Sequence, residues 1–227
     1  MFNYKTFILK NILGLILCLT LFSSTSFAMI FSQPVEIGSI GWPVRSSWNG
    51  IFVNGASYND GHLVNTTSQG YSYYDKGIAR FGDGENALYC RYKYGVDGLE
   101  FGGKDQFICT LSTSTYNISR IDSNEGITLY VLKDEWYQSN SIVIIGRLKN
   151  GKWVKYVDTT DYIEKYFSSL KDYAGASYYA NTPKYNKVSC ENDTVIIYYE
   201  SGLDGDGEFR FKWDDKAQWF GIEKVVY

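Results

Sequence analysis

The sequence predicts a mainly β fold, an antiparallel sandwich or barrel built from hairpins, with one amphipathic helix near 160–173. Three observations carry that expectation. Short runs rich in Val, Ile, Tyr and Phe recur between turns containing Gly, Asn and Asp. Aromatic residues make up 18% of the chain and only 3 of its 227 residues are Pro, the composition of a packed domain rather than a linker. A single segment, Thr160 to Tyr173, carries apolar groups at helical spacing, on Tyr162, Ile163, Tyr166, Phe167 and Leu170.

The first element is not part of the fold. Lys5 and Lys10 form a positive start, and Ile12 to Phe22 form an apolar core too short for a membrane span of about 20 residues. Ser26-Phe27-Ala28 sets small residues at −3 and −1 of a cleavage site. Residues 1–28 therefore read as a removable export signal, and 29–227 as a single β-rich domain starting at Met29. The expected location is periplasmic or extracellular. No later stretch is long and apolar enough to span a membrane as a helix, so no transmembrane helix is expected in the mature chain.

Turn signals follow at Asn49-Gly50, Asn54-Gly55, Asp60-Gly61 and Asp83-Gly84. Ala87 to Tyr94 and Gln106 to Leu111 read as one hairpin around a Gly-rich loop. Ile142 to Lys149 and Lys152 to Val157 flank Asn150-Gly151, a turn in which both residues are expected at positive φ. Asp158 or Thr160 suits the start of the helix, and Gly175 its end. Val195 to Glu200 and Glu208 to Trp213 form a last hairpin around a longer acidic loop. Residues 94–98 echo 201–205 and 151–158 loosely echo 207–214, and the spacing of Gly95, Gly146 and Gly202 would fit propeller blades, but shared hairpin turns explain it better.

The mature stretch holds Cys90, Cys109 and Cys190. In an oxidising compartment, a hairpin spanning 87–111 would place Cys90 opposite Cys109, which points to a Cys90–Cys109 disulfide, with pairing to Cys190 and three buried free thiols as the rivals.

Charge and chemistry narrow the function. The formal net charge is −3, without the basic footprint of a nucleic-acid binder. The only His is His62, in an apparent turn, and no Gly-x-Ser-x-Gly elbow occurs. Asp204, Asp206 and Glu208 have the alternating spacing of calcium ligands, and Asp215 stands where a loop-closing carboxylate belongs. Phe209 replaces the glycine of an EF-hand loop, so an acidic, solvated hairpin loop is the preferred reading and calcium the rival. Asp75, Asp83, Glu85 and Glu100 are available for carboxylate-based glycoside hydrolysis.

The aromatic supply is the most distinctive feature. Trp42, Trp48, Tyr71 and Tyr73 lie in turn-rich sequence outside the clearest hairpins. Their flat apolar faces and polar tips suit a glycan or protein partner. The expected function is an exported, non-catalytic binding module acting through an aromatic surface. A secreted hydrolase using paired carboxylates and an outer-membrane β-barrel are the alternatives. Apolar runs such as Val195-Ile196-Ile197-Tyr198-Tyr199 break the alternation that a lipid-facing barrel requires.

Overall fold

A computed structural model describes residues 28–41, 50–56, 58–59, 62–66, 72–75, 78–93, 98–112, 114–135, 141–172 and 181–227. The described strands are β1 (Val35–Gly41), β2 (Gly50–Asn54), β3 (Tyr58–Asn59), β4 (His62–Thr66), β5 (Ser72–Asp75), β6 (Ile78–Phe81), β7 (Leu88–Lys93), β8 (Gly98–Gly103) and β9 (Gln106–Ser112). They continue with β10 (Thr115–Asp122), β11 (Thr128–Asp134), β12 (Ile142–Arg147), β13 (Trp153–Asp158), β14 (Lys184–Glu191), β15 (Thr194–Glu200), β16 (Gly207–Asp214) and β17 (Trp219–Val226). They pair into an 8-stranded sheet in the order β13-β12-β11-β10-β1-β2-β5-β4, a 5-stranded sheet β3-β6-β7-β8-β9, and a 4-stranded sheet β14-β15-β16-β17. Every described pairing is antiparallel.

The large sheet is the middle layer. On one face Ile118, Tyr130, Leu132, Val143 and Ile145 pack against Phe81, Leu88, Cys90 and Phe101 of the 5-stranded sheet. On the other face Ile121, Leu129, Val131, Ile142 and Ile144 pack against Val195, Ile197, Phe209 and Phe211 of the 4-stranded sheet. Successive side chains of a strand point to opposite faces. A strand stretch covered on both sides is therefore apolar on both faces, which is why Leu129 to Leu132 of β11 and Ile142 to Ile145 of β12 read as continuous apolar runs. The arrangement is a layered sandwich whose described sheets are open and of unequal size. It does not repeat as propeller blades, and Val195-Ile196-Ile197 fits it directly. Val195 and Ile197 face the inner core, and Ile196 is buried on the outer side opposite Arg210.

The helix is shorter than its periodicity implies. It spans Thr160–Tyr166 and gives way at Phe167 to a 3-10 turn over Ser168–Asp172. Phe167 is buried edge-on against Tyr199, with ring centroids 5.0 Å apart. The Lys224 ammonium lies 4.1 Å from the Phe167 ring centre and donates to the Tyr166 carbonyl at 2.6 Å, satisfying a helix-end acceptor. At the start, Asp158 accepts from the Thr160 amide at 3.2 Å and from its hydroxyl at 2.6 Å. Gly175 lies outside the described residues. Among those residues no helix is long and apolar enough to cross a membrane.

The hairpins β12–β13 and β15–β16 form as the sequence implies. The first turn differs in detail: only Gly151 has positive φ, at 86°. The Gly151 amide bonds the Leu148 carbonyl at 2.9 Å, and the Leu148 amide bonds the Lys152 carbonyl at 2.9 Å. This is a three-residue loop with glycine at the left-handed position.

The third expected hairpin is corrected. The Gly-rich stretch between Ala87–Tyr94 and Gln106–Leu111 contains a strand, β8. Cys90 pairs with Phe101, and Phe101 in turn with Cys109. Two strand spacings of about 4.8 Å separate the cysteines, beyond the reach of a disulfide. Cys190 belongs to the opposite core, and the described cysteines Cys90, Cys109 and Cys190 are free and buried. Burial pushes the Cys109 thiol up to about 11 and the Cys190 thiol to about 12. The glycines of β8 serve close approach. An ideal Cβ on Gly103 would stand 2.2 Å from the Trp153 Nε1.

Candidate functional site

Among the described residues, an aromatic cluster with an exposed edge lies where β16 turns into β17. Trp213 closes the inward row of β16, and Phe220 continues it on β17. Their rings meet edge-on at 5.0 Å. Tyr156 of β13 packs against Trp213, Trp219 and Phe220 at 5.8, 5.0 and 5.2 Å. Phe31 closes the far side against Phe220 at 5.8 Å. Trp213, Phe220, Tyr156 and Phe31 are buried, whereas Trp219 is 43% exposed. Trp219 is therefore the rim of a rigid aromatic cluster, not a loose surface ring.

The turn beside it is tightly bonded. Asp214 accepts from the Lys216 amide at 2.8 Å and the Ala217 amide at 3.1 Å, and these amides hold its carboxyl below the usual carboxylate range. Asp215 accepts from the Trp213 indole at 2.8 Å, and Gln218 donates back to the Asp215 carbonyl at 2.8 Å. The open cleft so formed measures about 730 Å³, with Trp219 and Phe220 beside Lys212, Asp215 and Lys216. An indole face rimmed by ammonium and carboxylate groups can stack on an apolar patch of a ligand while the rim bonds its polar groups. The Tyr156 hydroxyl is buried with no hydrogen-bond partner among the described residues, and burial pushes its phenol pKa upward.

A second cleft of about 540 Å³ lies among Glu85, Tyr89, Gln106 and Trp153. Trp153 is almost wholly buried there and stacks on Tyr130 at 5.9 Å, so it offers little free face.

Trp42, Trp48 and Tyr71 lie outside the described residues, as do residues 1–27. The Tyr73 backbone sits in β5 opposite Phe52, while its ring lies outside the described set. His62 opens β4 opposite Asp75 instead of sitting in a turn.

The acidic hairpin residues go to separate partners. Asp206 accepts from the Ser201 amide at 3.0 Å, and Asp204 from the Ser169 hydroxyl. Glu208 is buried on β16, bonded by Arg210 at 2.5 Å and by the Tyr227 hydroxyl. Among the described residues no three His, Cys, Asp or Glu side chains gather as metal ligands. The carboxylates considered for hydrolysis likewise take separate partners: Asp83 pairs with Arg80, Glu85 with Arg147 and buried Glu100 with Arg91, while the Asp75 side chain lies outside the described set.

Trp219 is the residue that sequence reasoning passed over. Its signal is the charged turn Asp214-Asp215-Lys216 leading into Trp219-Phe220. That turn sets Trp219 at the start of β17, at the rim of the aromatic row that Phe220 continues. No known protein family, curated protein or solved structure matches this chain.

Proposed function

We propose that this chain is an exported, non-catalytic binding module that engages a glycan or protein partner through an aromatic surface centred on Trp219. The observation that carries the reading is the exposed indole packed on buried Tyr156 and preceded in the chain by the hydrogen-bonded turn Asp214–Gln218. A preorganised ring loses little freedom on binding, which makes it an efficient contact. The charged start, short apolar core and Ser26-Phe27-Ala28 site support export.

Glycan arrays and immobilised candidate proteins probed with the wild type and with Trp219→Ala test this. At a binding hot spot the substitution weakens affinity by about 1–3 kcal/mol while circular dichroism stays native. Equal binding by both chains removes Trp219 from the site. Turnover of a glycan or peptide, abolished by one carboxylate change, replaces the reading with a hydrolase.

A further inference from the structure

The segment that follows the expected cleavage site is built into the core. The Met29 side chain is 2% exposed and Phe31 4%, both within the cluster between the large and the 4-stranded sheets. Phe31 packs edge-on against Trp213 at 6.3 Å. The backbone is tied to both layers. Toward the large sheet, the Ser32 amide bonds the Asp122 carbonyl at 2.8 Å, and the Asn124 amide bonds the Ile30 carbonyl at 3.0 Å. The Asn124 side chain accepts from the Ile30 amide at 2.9 Å and donates to the Ala28 carbonyl at 3.2 Å. Toward the 4-stranded sheet, the Phe31 amide bonds the Asn192 carbonyl at 2.8 Å. The Gln33 amide group bonds both the carbonyl and the amide of Cys190, at 2.6 and 3.2 Å. Residues 28–33 thus form a strap across the seam between two sheets.

We infer that leader removal must come before folding, because docking of the strap clamps the backbone around the Ala28–Met29 bond, exposed at Ala28 and Ile30 but anchored at Met29, so that a peptidase cannot grip it. The inference rests on residues 1–28 being a cleaved leader. Cleavage adds water across the Ala28–Met29 amide. The Ala28 carbonyl becomes the leader's terminal carboxylate, and the nitrogen stays on Met29 as the new α-amine. A peptidase grips its substrate as an extended strand, through backbone hydrogen bonds on both sides of the scissile bond. In the folded chain Asn124 already occupies the Ala28 carbonyl and both polar groups of Ile30. The side chain next to the bond, Met29, is inside the core. Cutting therefore waits for the strap to open, and its rate follows the open population.

The full-length chain, incubated with the leader peptidase of its export pathway, tests this. The folded wild type is compared with a Leu129→Asp, Ile144→Asp chain that circular dichroism shows to be unfolded. Mass spectrometry follows release of product beginning at Met29. The unfolded chain is expected to be cut at least about 100-fold faster, since opening the strap exposes two large buried side chains. A folded Asn124→Ala chain falls between the two. Equal rates for folded and unfolded chains overturn the protective strap. Absence of the Met29 product from the unfolded chain overturns the leader reading, and the ordering with it.

Discussion

Ile144 and Ile145 are neighbours on β12, both fully buried, one facing the 4-stranded sheet and the other the 5-stranded sheet. Truncating each to alanine tests the layering directly. The change removes three buried carbons, about 0.8 kcal/mol each in transfer, and the cavity left behind raises the cost to about 3–4 kcal/mol. For a domain of this size that lowers Tm by roughly 7–14 °C. The two side chains point to opposite faces and belong to different cores, so the effects should add within about 0.5 kcal/mol. The double variant then loses about 7 kcal/mol, comparable with the whole stability of many domains. Urea titration followed by intrinsic fluorescence measures all three. If either single variant lies within about 0.5 kcal/mol of wild type, that face of β12 is not covered and the three-layer account is wrong.

Gly103→Ala drives a methyl group toward the Trp153 indole and should destabilise the domain by about 1–3 kcal/mol, with a shift in tryptophan emission. The three thiols should resist alkylation in the folded protein and react fully in denaturant, and non-reducing peptide mapping should find no Cys90–Cys109 bond; either an intact bond or fast native alkylation contradicts the structure. Cys109 and Cys190, raised to about 11 and 12, bind their protons more tightly folded than unfolded. The stability they contribute is complete below an unfolded thiol pKa of about 8.5 and is lost as pH rises through 11–12. Tyr130 and Tyr199, each raised to about 12, add to the same alkaline loss, so melts between pH 8 and 12 should fall steadily and a flat profile would count against their burial. Added calcium should leave Tm unchanged, because Asp204, Asp206 and Glu208 bond separate partners; a rise in Tm with millimolar calcium would show a site formed on binding.

What the sequence disclosed was local. Asn150-Gly151 and the loop before Gly207 announce their hairpins because turn residues and flanking apolar runs lie within a few positions of each other. The helix stripe was legible, but its end was not. Phe167 leaves the helix to meet Tyr199 and Lys224, which come from strands far along the chain. Strand β8 was hidden by its own composition: Gly98, Gly102 and Gly103 resemble a loop until the neighbours that need the space are known. The disulfide expectation failed for the same reason, since inserting one strand turns facing cysteines into next-nearest ones. The layering was legible only as unexplained apolar runs. Of the aromatic candidates, Trp42, Trp48 and Tyr71 fall outside the described residues. Trp219 becomes distinctive only once the rings around it are known to be buried.

The pairing of β1 with β10 carries a consequence for how the domain is made. Residue 35 meets residue 120, and β1 separates β10 from β2 within the central sheet, so that sheet cannot close until most of its strands have been synthesised. Phe31 waits longer still, because its amide partner is Asn192 and its aromatic neighbours are Trp213 and Phe220. Contacts so distant along the chain are slow to form, since loop closure must precede any gain from packing. The consecutive hairpins β6 to β9 can pair early, but the strap and the central sheet would settle only when nearly all of the chain is free. That delay fits the export proposed above, since a late-settling polypeptide can still pass through a narrow channel.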